Sequence, residues 1–421
     1  MPRFDRSHTD DLAAFITASP TAYHACAEAG RRLEAAGFQR LPETHGWPLA
    51  EKGGYYTVRD GSIIAWRIDE PGVDSFRIFG AHTDTPAFKV KPRPDTGAAG
   101  WKQVAVEVYG GVPHQTWLDR DLGVAGRLVL RDGAEVLVDV DRPLLRVPRL
   151  AIHLDRGANE GRALDPQGHL TPIWGLGEPR EGEFLEFIAA EAGVDADDVL
   201  GHDLFTVALD RPAYLGKDEE LFAAWRLDNL TSVHAGVAAL IAAERTGTKV
   251  PVLAAFNYEE IGSMTYSGAQ SPFLETVLRR ILGADDPEHY AQTMAASGMM
   301  SSDTGNSIHP NYPEKHDPTH RPIAGGGPMI KVSANQRYAS GAEEEALFRR
   351  AAEHAGIPWQ YNVNRNSILG GTTIGPISGT QLGILTVDVG LPILSMHSAR
   401  ELCGAEDPGR LADLALGLFE H

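Results

Sequence analysis

Cysteine is nearly absent from this sequence. Only two of the 421 residues, Cys26 and Cys403, carry a thiol. Two cysteines cannot build a disulfide framework or a zinc cluster of four thiolates. We therefore expect a protein of a reducing compartment, and we take that compartment to be the cytoplasm.

Long apolar runs and positive charge are also scarce. No apolar stretch reaches the roughly 20 residues of a membrane-spanning helix, and residues 1–11 are too polar to resemble a secretory signal. Lys and Arg total 38 against 57 Asp and Glu, which gives a formal net charge of -19. A surface this negative argues against nucleic acids and anionic membranes as partners.

The apolar pattern indicates an α/β protein. Strand patterns at residues 61–68, 75–79 and 252–256 are separated by helix patterns. The chain is long enough for two domains. We predict a three-layer α/β/α catalytic domain with a mixed sheet, formed by residues 1–88 and 222–421.

The stretch at residues 89–221 has a different pattern of apolar and polar residues, which predicts an inserted, mainly-β domain. Val104, Val106 and Val108 alternate with polar residues, as in a half-buried strand. Asp132-Gly133 lies between two apolar runs and predicts a hairpin with a type I′ turn. One helix is expected at residues 183–192.

Several dipeptides predict where helices begin. Ser19-Pro20 is typical of a helix N-cap and first turn, and Gly37 would end that helix. Ser271-Pro272 opens another helix, and Thr231-Ser232 could cap a third. Gly325-Gly326-Gly327 indicates a phosphate-binding loop only weakly, because the Lys-Ser/Thr of such loops is missing.

Two adjacent acids, Glu259 and Glu260, follow the apolar run at residues 252–256. Two anions at the end of a buried strand repel each other unless a cation lies between them. One acid could then bind a metal ion while the other transfers a proton. The alternative is a solvated loop with two surface acids.

His82 and Asp84 leave the strand pattern at residues 75–79 in the same way. Residues two apart on an extended chain share a side, so Asp84 could orient the ring of a metal-bound His82. A surface pair would have the same sequence. Asp84 is expected to orient a ligand rather than to be one.

Isolated polar residues follow three further segments. Asp228 lies at a strand-to-helix junction, where it could instead be an N-cap, and Asp303 follows a turn of small residues. His397 comes after an apolar run. Lys331 lies within an apolar strand, where it either receives an acidic group or extends its ammonium group past a sheet edge.

Strand ends of an open α/β sheet line one crevice. Five of these residues therefore form a candidate site for two divalent ions, most simply zinc, with manganese or cobalt as substitutes: His82, Asp228, Glu260, Asp303 and His397. Two such ions activate a water and polarise a carbonyl, which is the chemistry of amide hydrolysis. A purely structural metal site is the alternative.

The sequence resembles the aspartyl aminopeptidase family of co-catalytic zinc metallopeptidases in seven segments that occur in the same order. The α/β core of that family is similar to that of phosphorylase/hydrolase-like proteins. The resemblance extends from about Ser19 to the C-terminus. The matching segments are Gly80-Ala81-His82-Thr83-Asp84, Trp117-Leu118-Asp119-Arg120-Asp121, Ala151-Ile152-His153-Leu154, Arg226-Leu227-Asp228-Asn229-Leu230, Glu259-Glu260-Ile261-Gly262-Ser263, His309-Pro310-Asn311-Tyr312 and Ser395-Met396-His397-Ser398.

The resemblance implies a role for each candidate ligand. Asp228 would bridge two zinc ions per subunit. His82 and Asp303 would complete the coordination of one ion, and Glu260 and His397 that of the other.

It also implies two catalytic residues and the shape of the assembly. Glu259 would be the general base and acid, and Asp84 would support His82. The inserted domain would drive dimerisation, and dimers would assemble into tetrahedral dodecamers. Enclosed active sites favour peptides with a free N-terminus over folded proteins.

Four residues are implied to bind substrate. His153 would reach the active site of a neighbouring subunit, and Lys331 would receive an acidic first side chain. His309 and Tyr338 complete this set. The sequence departs from the family at Asn306, where many relatives carry histidine, and at Thr372, where serine is common.

The sequence thus predicts a two-zinc aminopeptidase that prefers N-terminal Asp or Glu. A broad or neutral-residue aminopeptidase, or a carboxypeptidase-like deacylase, is the alternative on the same fold. A non-catalytic protein that holds metal for assembly is the alternative of another class.

Overall fold

The computed structural model describes residues 2–48, 51–161, 163–244, 246–283 and 286–421. The α-helices of the described chain are α1 (Arg6–Thr17), α2 (Ala22–Ala35), α3 (Pro166–His169), α4 (Glu183–Glu191), α5 (Leu227–Ala242), α6 (Phe273–Leu282), α7 (Pro287–Ala295), α8 (Ala342–Ala355), α9 (Ile374–Leu382) and α10 (Asp407–Glu420). None of them is both long enough and apolar enough to cross a membrane.

The strands of the described chain are numbered in the same way. They are β1 (Gln39–Arg40), β2 (Gly53–Arg59), β3 (Ser62–Ile68), β4 (Ser75–His82), β5 (Ala87–Ala98), β6 (Trp101–Tyr109), β7 (Asp121–Leu130), β8 (Glu135–Arg146), β9 (Ile173–Leu176), β10 (Val199–Ala208), β11 (Ala213–Leu215), β12 (Leu221–Ala224), β13 (Lys249–Phe256), β14 (Gly298–Ser302), β15 (Gly305–Asn306), β16 (Met329–Val332), β17 (Gln360–Val363), β18 (Leu385–Gly390), β19 (Pro392–Ile393) and β20 (Glu401–Gly404).

The chain divides into two compact units. The first unit contains Met1–Asp84, Pro212–Met396 and Glu401–His421, and the second contains Thr85–Arg211 with His397–Arg400. The catalytic and dimerisation roles assigned above to the two parts of the chain stay predictions.

A mixed sheet forms the centre of the first unit. Its nine strands among the described residues have the order β1-β2-β3-β13-β4-β14-β18-β16-β17. The central strands β13, β4, β14 and β18 run parallel to one another. Strand β3 runs antiparallel to both of its neighbours, and β16 runs antiparallel to β18 but parallel to β17. The parallel strands therefore present their carboxyl ends at one edge of the sheet.

Helices cover both faces of this sheet. Along β3, Ile63 and Ala65 point into one apolar core, which includes residues of α1, α2, α5, α8 and α10. Ile64 and Trp66 point into a second core, with residues of α6 and α9. Successive side chains of a strand point to opposite faces, so two cores on one strand mean three layers. The predicted α/β/α architecture is confirmed.

The second unit is β-rich, as the sequence predicts. Its strands close into a six-stranded sheet of order β10-β5-β6-β9-β8-β7, with β7 paired again to β10. The rings of Phe88 and Trp117 are both buried in this unit, with centroids 5.2 Å apart. The helix expected at residues 183–192 is α4.

The hairpin predicted at Asp132-Gly133 joins β7 to β8, but the turn type is wrong. Gly133 has φ +86°, whereas Asp132 has no positive φ. A type I′ turn needs both. The amide of Leu130 donates to the carbonyl of Ala134 at 2.8 Å, so the connecting loop has three residues, 131–133, instead of two.

The predicted helix starts are right in one case of three. The helix after Ser271-Pro272 is α6, which begins at Phe273. The helix expected at Ser19 begins later, at Ala22 with Thr21 as N-cap. Thr231 does not cap α5, because it lies inside the helix and donates its hydroxyl to the carbonyl of Leu227 at 2.8 Å.

Candidate active site

The parallel strands of the first unit end beside one another at the candidate site. His82 is the last residue of β4, and its partner in the register of β13 is Phe256. The 3-10 turn that contains Glu259 and Glu260 follows β13. Asp303 follows β14, the other neighbour of β4. The candidate residues of these strands therefore meet at one edge of the sheet, as the sequence predicts for strand ends.

Asp228 reaches this edge from the beginning of α5. Its backbone departs from helical geometry, at φ -82° and ψ 103°. Its amide donates to Oε2 of Glu401 at 3.0 Å. The amide of the Asn229 side chain donates to the carbonyl of Ser302 at 2.8 Å. These two contacts fix the junction against β20 and β14, rather than leaving Asp228 to cap its own helix.

His82 is the centre of the site. Its Nε2 lies 3.1 Å from Oδ1 of Asp228 and 3.4 Å from Oδ1 of Asp303. One ligand atom from each of His82, Asp228 and Glu260 falls within 4.8 Å of the others, which is a spacing that can hold a metal ion. His82 and Asp228 are almost completely buried.

Asp84 joins the histidine to the acid pair. Its Oδ1 lies 3.4 Å from Nδ1 of His82. Its two carboxylate oxygens also accept hydrogen bonds from the backbone amides of Glu259 and Glu260, each at 3.1 Å. One buried carboxylate thus touches the ring nitrogen that faces away from Asp228 and fixes the turn that carries the acids.

The site concentrates negative charge. Burial, together with the charge of Asp228, raises the pKa of Glu260 well above its ordinary value. Burial also raises the pKa of Glu259 to about 8; His82 opposes that rise, and Asp303 adds to it. Acids with raised pKa values in one cleft are typical of functional sites.

The acidic groups of the site also raise the pKa of the imidazole. Burial lowers the pKa of His82, but hydrogen bonds with Asp228, Asp303 and Asp84 more than offset this and raise the pKa well above its ordinary value.

These residues fit zinc. An imidazole nitrogen and carboxylate oxygens are ligands that Zn²⁺ uses at catalytic sites. A divalent cation would also relieve the repulsion that raises the pKa of Glu260. Asp228 belongs both to the group around His82 and Asp303 and to the group with Glu260.

Lys331 brings a buried cation to the same edge. Its Nζ donates to the carbonyl of Thr304 at 2.7 Å and lies 3.8 Å from Oδ2 of Asp303. It lies 5.3 Å from the centre of the Tyr338 ring. Burial lowers the pKa of Lys331, but attraction to Asp303 and other neighbours outweighs burial and raises it, so the ammonium group is charged.

The remaining candidates are described by the contacts within their own units. His397 belongs to the second unit, where its Nδ1 lies 3.2 Å from the carbonyl oxygen of Gly111. His153 is an exposed residue of the second unit. His309 lies in a loop of the first unit, where its Nδ1 accepts the amide of Asn311 at 3.1 Å. Asn306 is exposed on β15.

Three buried residues that support the site are missing from the sequence-based set. Arg226 donates to the carbonyls of Ser19 and Thr83, next to His82. Glu401 holds the amide of Asp228. Asp388 accepts from the amide of Ala339 and the hydroxyl of Thr373, each at 2.6 Å.

Sequence signals for these three residues are weak. Arg226 and Glu401 each stand near a candidate ligand in sequence, and Asp388 interrupts an apolar run. Charged residues in such places are rarely buried without a partner. That rule identifies them as unusual but does not say what they contact.

Comparison with known proteins places the chain among metallopeptidases. Residues 15–419 match the family model described as aminopeptidase I zinc metalloprotease (M18). A "Probable M18 family aminopeptidase 2" of Streptomyces coelicolor is 54% identical, with 99% of each chain covered. A protein of the same name from Mycobacterium tuberculosis is 45% identical, with 94% of each chain covered.

Solved structures with the same fold are similar over nearly the whole chain. A chain from a cryo-EM structure of the Ape4 and Nbr1 complex has a TM-score of 0.94 at 34% identity and covers 98% of this chain and 85% of its own. The S. cerevisiae mApe1 dodecamer gives a TM-score of 0.86 at 27% identity, with 99% and 97% covered.

Proposed function

Because the chain belongs to the M18 family of zinc metallo-aminopeptidases, we propose that it uses two zinc ions to remove N-terminal Asp or Glu from peptides. Hydrolysis of peptide bonds by a metallo-aminopeptidase follows from the family itself. The number of ions, the role of each residue and the acidic preference are the proposed part.

The shared position of Asp228 is the observation that carries the two-ion proposal. Nε2 of His82 lies 3.1 Å from Asp228 and 3.4 Å from Asp303, and Asp228 also belongs, with His82 and Glu260, to a group whose spacing can hold a metal ion. We assign His82, Asp303 and Asp228 to one ion, and Glu260, Asp228 and His397 to the other. Bound zinc would supply a Lewis acid for the scissile carbonyl and an acidified water; manganese or cobalt would substitute.

Glu259 is the proposed proton carrier. Burial raises the pKa of its carboxyl to about 8, so the group exchanges a proton readily near neutral pH. Its backbone amide is held by Asp84, which keeps the carboxyl at the same edge of the sheet as the candidate ligands. Glu259 would take a proton from the attacking water and deliver it to the leaving amine.

Lys331 is the proposed receptor for an acidic first side chain. Its ammonium group is buried, charged and placed 3.8 Å from Asp303. A carboxylate in this setting gains a charge-assisted hydrogen bond that an apolar side chain cannot make. Tyr338 lies beneath the ammonium group and would form the wall of this subsite, with His309 and a neighbour's His153 as further substrate contacts.

A substrate panel tests the proposal. The enzyme should cleave aspartyl and glutamyl peptides faster than leucyl peptides, lose activity with a chelator, and fail on N-acetylated peptides. Lys331→Ala should lower kcat/KM for acidic substrates by about 100-fold, the value of one charge-assisted hydrogen bond in a buried site, and for leucyl substrates far less.

Lys315→Ala is the matched control, because Lys315 is exposed in a loop of the same unit; it should change neither substrate class. An equal loss on acidic and leucyl substrates in Lys331→Ala would remove Lys331 from specificity. Faster cleavage of leucyl peptides by the unaltered enzyme would favour a neutral-residue aminopeptidase.

Self-association into a dodecamer is proposed by analogy with the S. cerevisiae relative, whose structure is described as a dodecamer. In that assembly the second unit would form dimers and present His153 to a neighbouring subunit. A cytoplasmic location stays a prediction from the scarcity of cysteine. Light scattering in solution gives the subunit number directly.

A further inference from the structure

A cluster of basic groups lies at the other end of the sheet in the first unit. Arg77 is the third residue of β4, five residues before His82, which corresponds to roughly 16 Å along a strand. Lys249 begins the neighbouring strand β13 and pairs in register with Ser75. The cluster is therefore separate from the candidate active site.

A small cavity of about 70 Å³ lies within this cluster. Its lining combines basic and apolar side chains, namely Arg77, Leu347, Arg350, Ala351, Leu418 and His421. Leu347, Ala351 and Leu418 are buried. Apolar walls lower the local dielectric, so charges that face the cavity interact more strongly than on an open surface.

Arg77 and Arg350 both line this cavity. In the part of the chain that the structure describes, neither guanidinium has a salt-bridge partner. Arg77 donates only to neutral oxygens, including the carbonyl of Ala296 at 3.1 Å. Burial, and then repulsion from Arg350, lower the pKa of Arg77.

Other basic groups surround the pair. Lys249 donates to a main-chain oxygen of His421, and the rings of His354 and His421 are stacked with centroids 6.2 Å apart. Glu420 pairs with His354 at 3.6 Å and with Arg3 at 3.5 Å. Such a basic cluster is unusual in a chain with a net charge of -19.

We propose that the cavity between Arg77 and Arg350 binds an oxyanion, either free inorganic phosphate or the phosphate of a small phosphomonoester. Arginine guanidinium groups present planar pairs of donors that match phosphate oxygens. The cavity has room for one phosphate group. The rest of a phosphomonoester would extend into solvent. The bound ion would join β4, α8 and α10 and stabilise the first unit.

The test is titration calorimetry of the complete enzyme with inorganic phosphate at constant ionic strength. Arg350→Gln should lose one phosphate per subunit or bind it at least about 10-fold more weakly, since one of two guanidinium groups is gone. Arg350 is exposed, so this variant should fold. Hydrolysis of peptides should be unchanged, because the cavity lies away from the catalytic edge.

Arg349→Gln is the matched control. Arg349 precedes Arg350 on α8 and is already paired with Glu345 at 2.9 Å; its loss should leave phosphate binding intact. The proposal is wrong if Arg350→Gln binds phosphate with the same stoichiometry and affinity as the unaltered enzyme. It is also wrong if the unaltered enzyme binds no phosphate.

A second arm distinguishes the two sources of the anion. Glycerol 3-phosphate should compete with inorganic phosphate for the site. Tighter binding than inorganic phosphate assigns the site to a phosphomonoester, and weaker or equal binding assigns it to the free ion. Failure of both ligands to bind in an Arg350-dependent way overturns the site.

Discussion

At the scale of single residues, Asp84 contacts both a proposed metal ligand and the turn that carries the proposed base. Its carboxylate touches Nδ1 of His82 and accepts the amides of Glu259 and Glu260. A change at Asp84 would therefore disturb the orientation of a proposed ligand and the placement of the proposed base together. Metal-binding histidines commonly depend on such a contact through their second nitrogen.

Glu259→Gln separates the proposed base from the proposed ligands. The amide is isosteric with the carboxyl but cannot carry the proton, so turnover should fall by a factor of about 10³, within the range for loss of a general base. Metal content should remain that of the unaltered enzyme, as measured by atomic absorption.

Glu288→Gln is a suitable control for Glu259→Gln, since Glu288 is exposed on α7. Loss of metal in Glu259→Gln would reassign Glu259 as a ligand. Retained turnover would require another proton carrier.

At the scale of elements, the loop Gly325-Gly326-Gly327 contacts a carboxylate of its own chain. Gly325 and Gly327 have φ values of +88° and +86°, which favour glycine. Their amides donate to the two carboxylate oxygens of Asp407 at 2.6 and 3.0 Å. The loop thus binds a carboxylate of its own chain at the start of α10, instead of a phosphate.

Asp407→Ala should destabilise the first unit by about 2 kcal/mol, because the buried amide of Gly327 and the more exposed amide of Gly325 lose their acceptor and an unsatisfied buried group costs about 1–3 kcal/mol. Urea unfolding monitored by fluorescence measures the change. Glu406→Ala is the control; Glu406 is exposed and pairs only with Arg410 among the described residues, so its loss should cost well under about 1 kcal/mol.

A drop in stability for Glu406→Ala as large as that for Asp407→Ala would contradict this account. It would mean that the effect comes from charge near the helix terminus rather than from the two glycine amides.

At the scale of the whole molecule, the candidate site opposes folding unless cations neutralise it. Four carboxyl groups and one imidazole meet at the sheet edge, namely Asp228, Asp303, Glu259, Glu260 and His82. The fold brings these acids together, and a cation that binds only the folded state stabilises it.

Removal of metal with a chelator should therefore lower the Tm of the enzyme, and added zinc should restore it. Calorimetry in parallel with metal analysis checks this. An unchanged Tm after complete loss of metal would show that the sheet edge tolerates its charges unaided. In His82→Ala, which lacks the central proposed ligand, the chelator should have a much smaller effect on Tm.

Local sequence patterns give much of the architecture. Alternation along β3 and apolar runs at β4 and β13 predict a sheet with two covered faces, because side-chain direction in a strand follows from position alone. Helix starts are less certain: α1 is absent from the prediction, and α2 begins at Ala22 rather than near Ser19. Capping residues also occur in turns, so they locate a terminus only approximately.

The sequence by itself determines which side chains could bind metal and that strands precede them. His82 at the end of β4 and Glu259 after β13 follow from local pattern. The tertiary structure alone decides that Asp228, 146 residues from His82, lies 3.1 Å from its ring, and that Arg226, Glu401 and Arg350 face particular neighbours. Periodicity reports which face of an element is buried, whereas contacts between distant residues depend on how strands pair and helices pack.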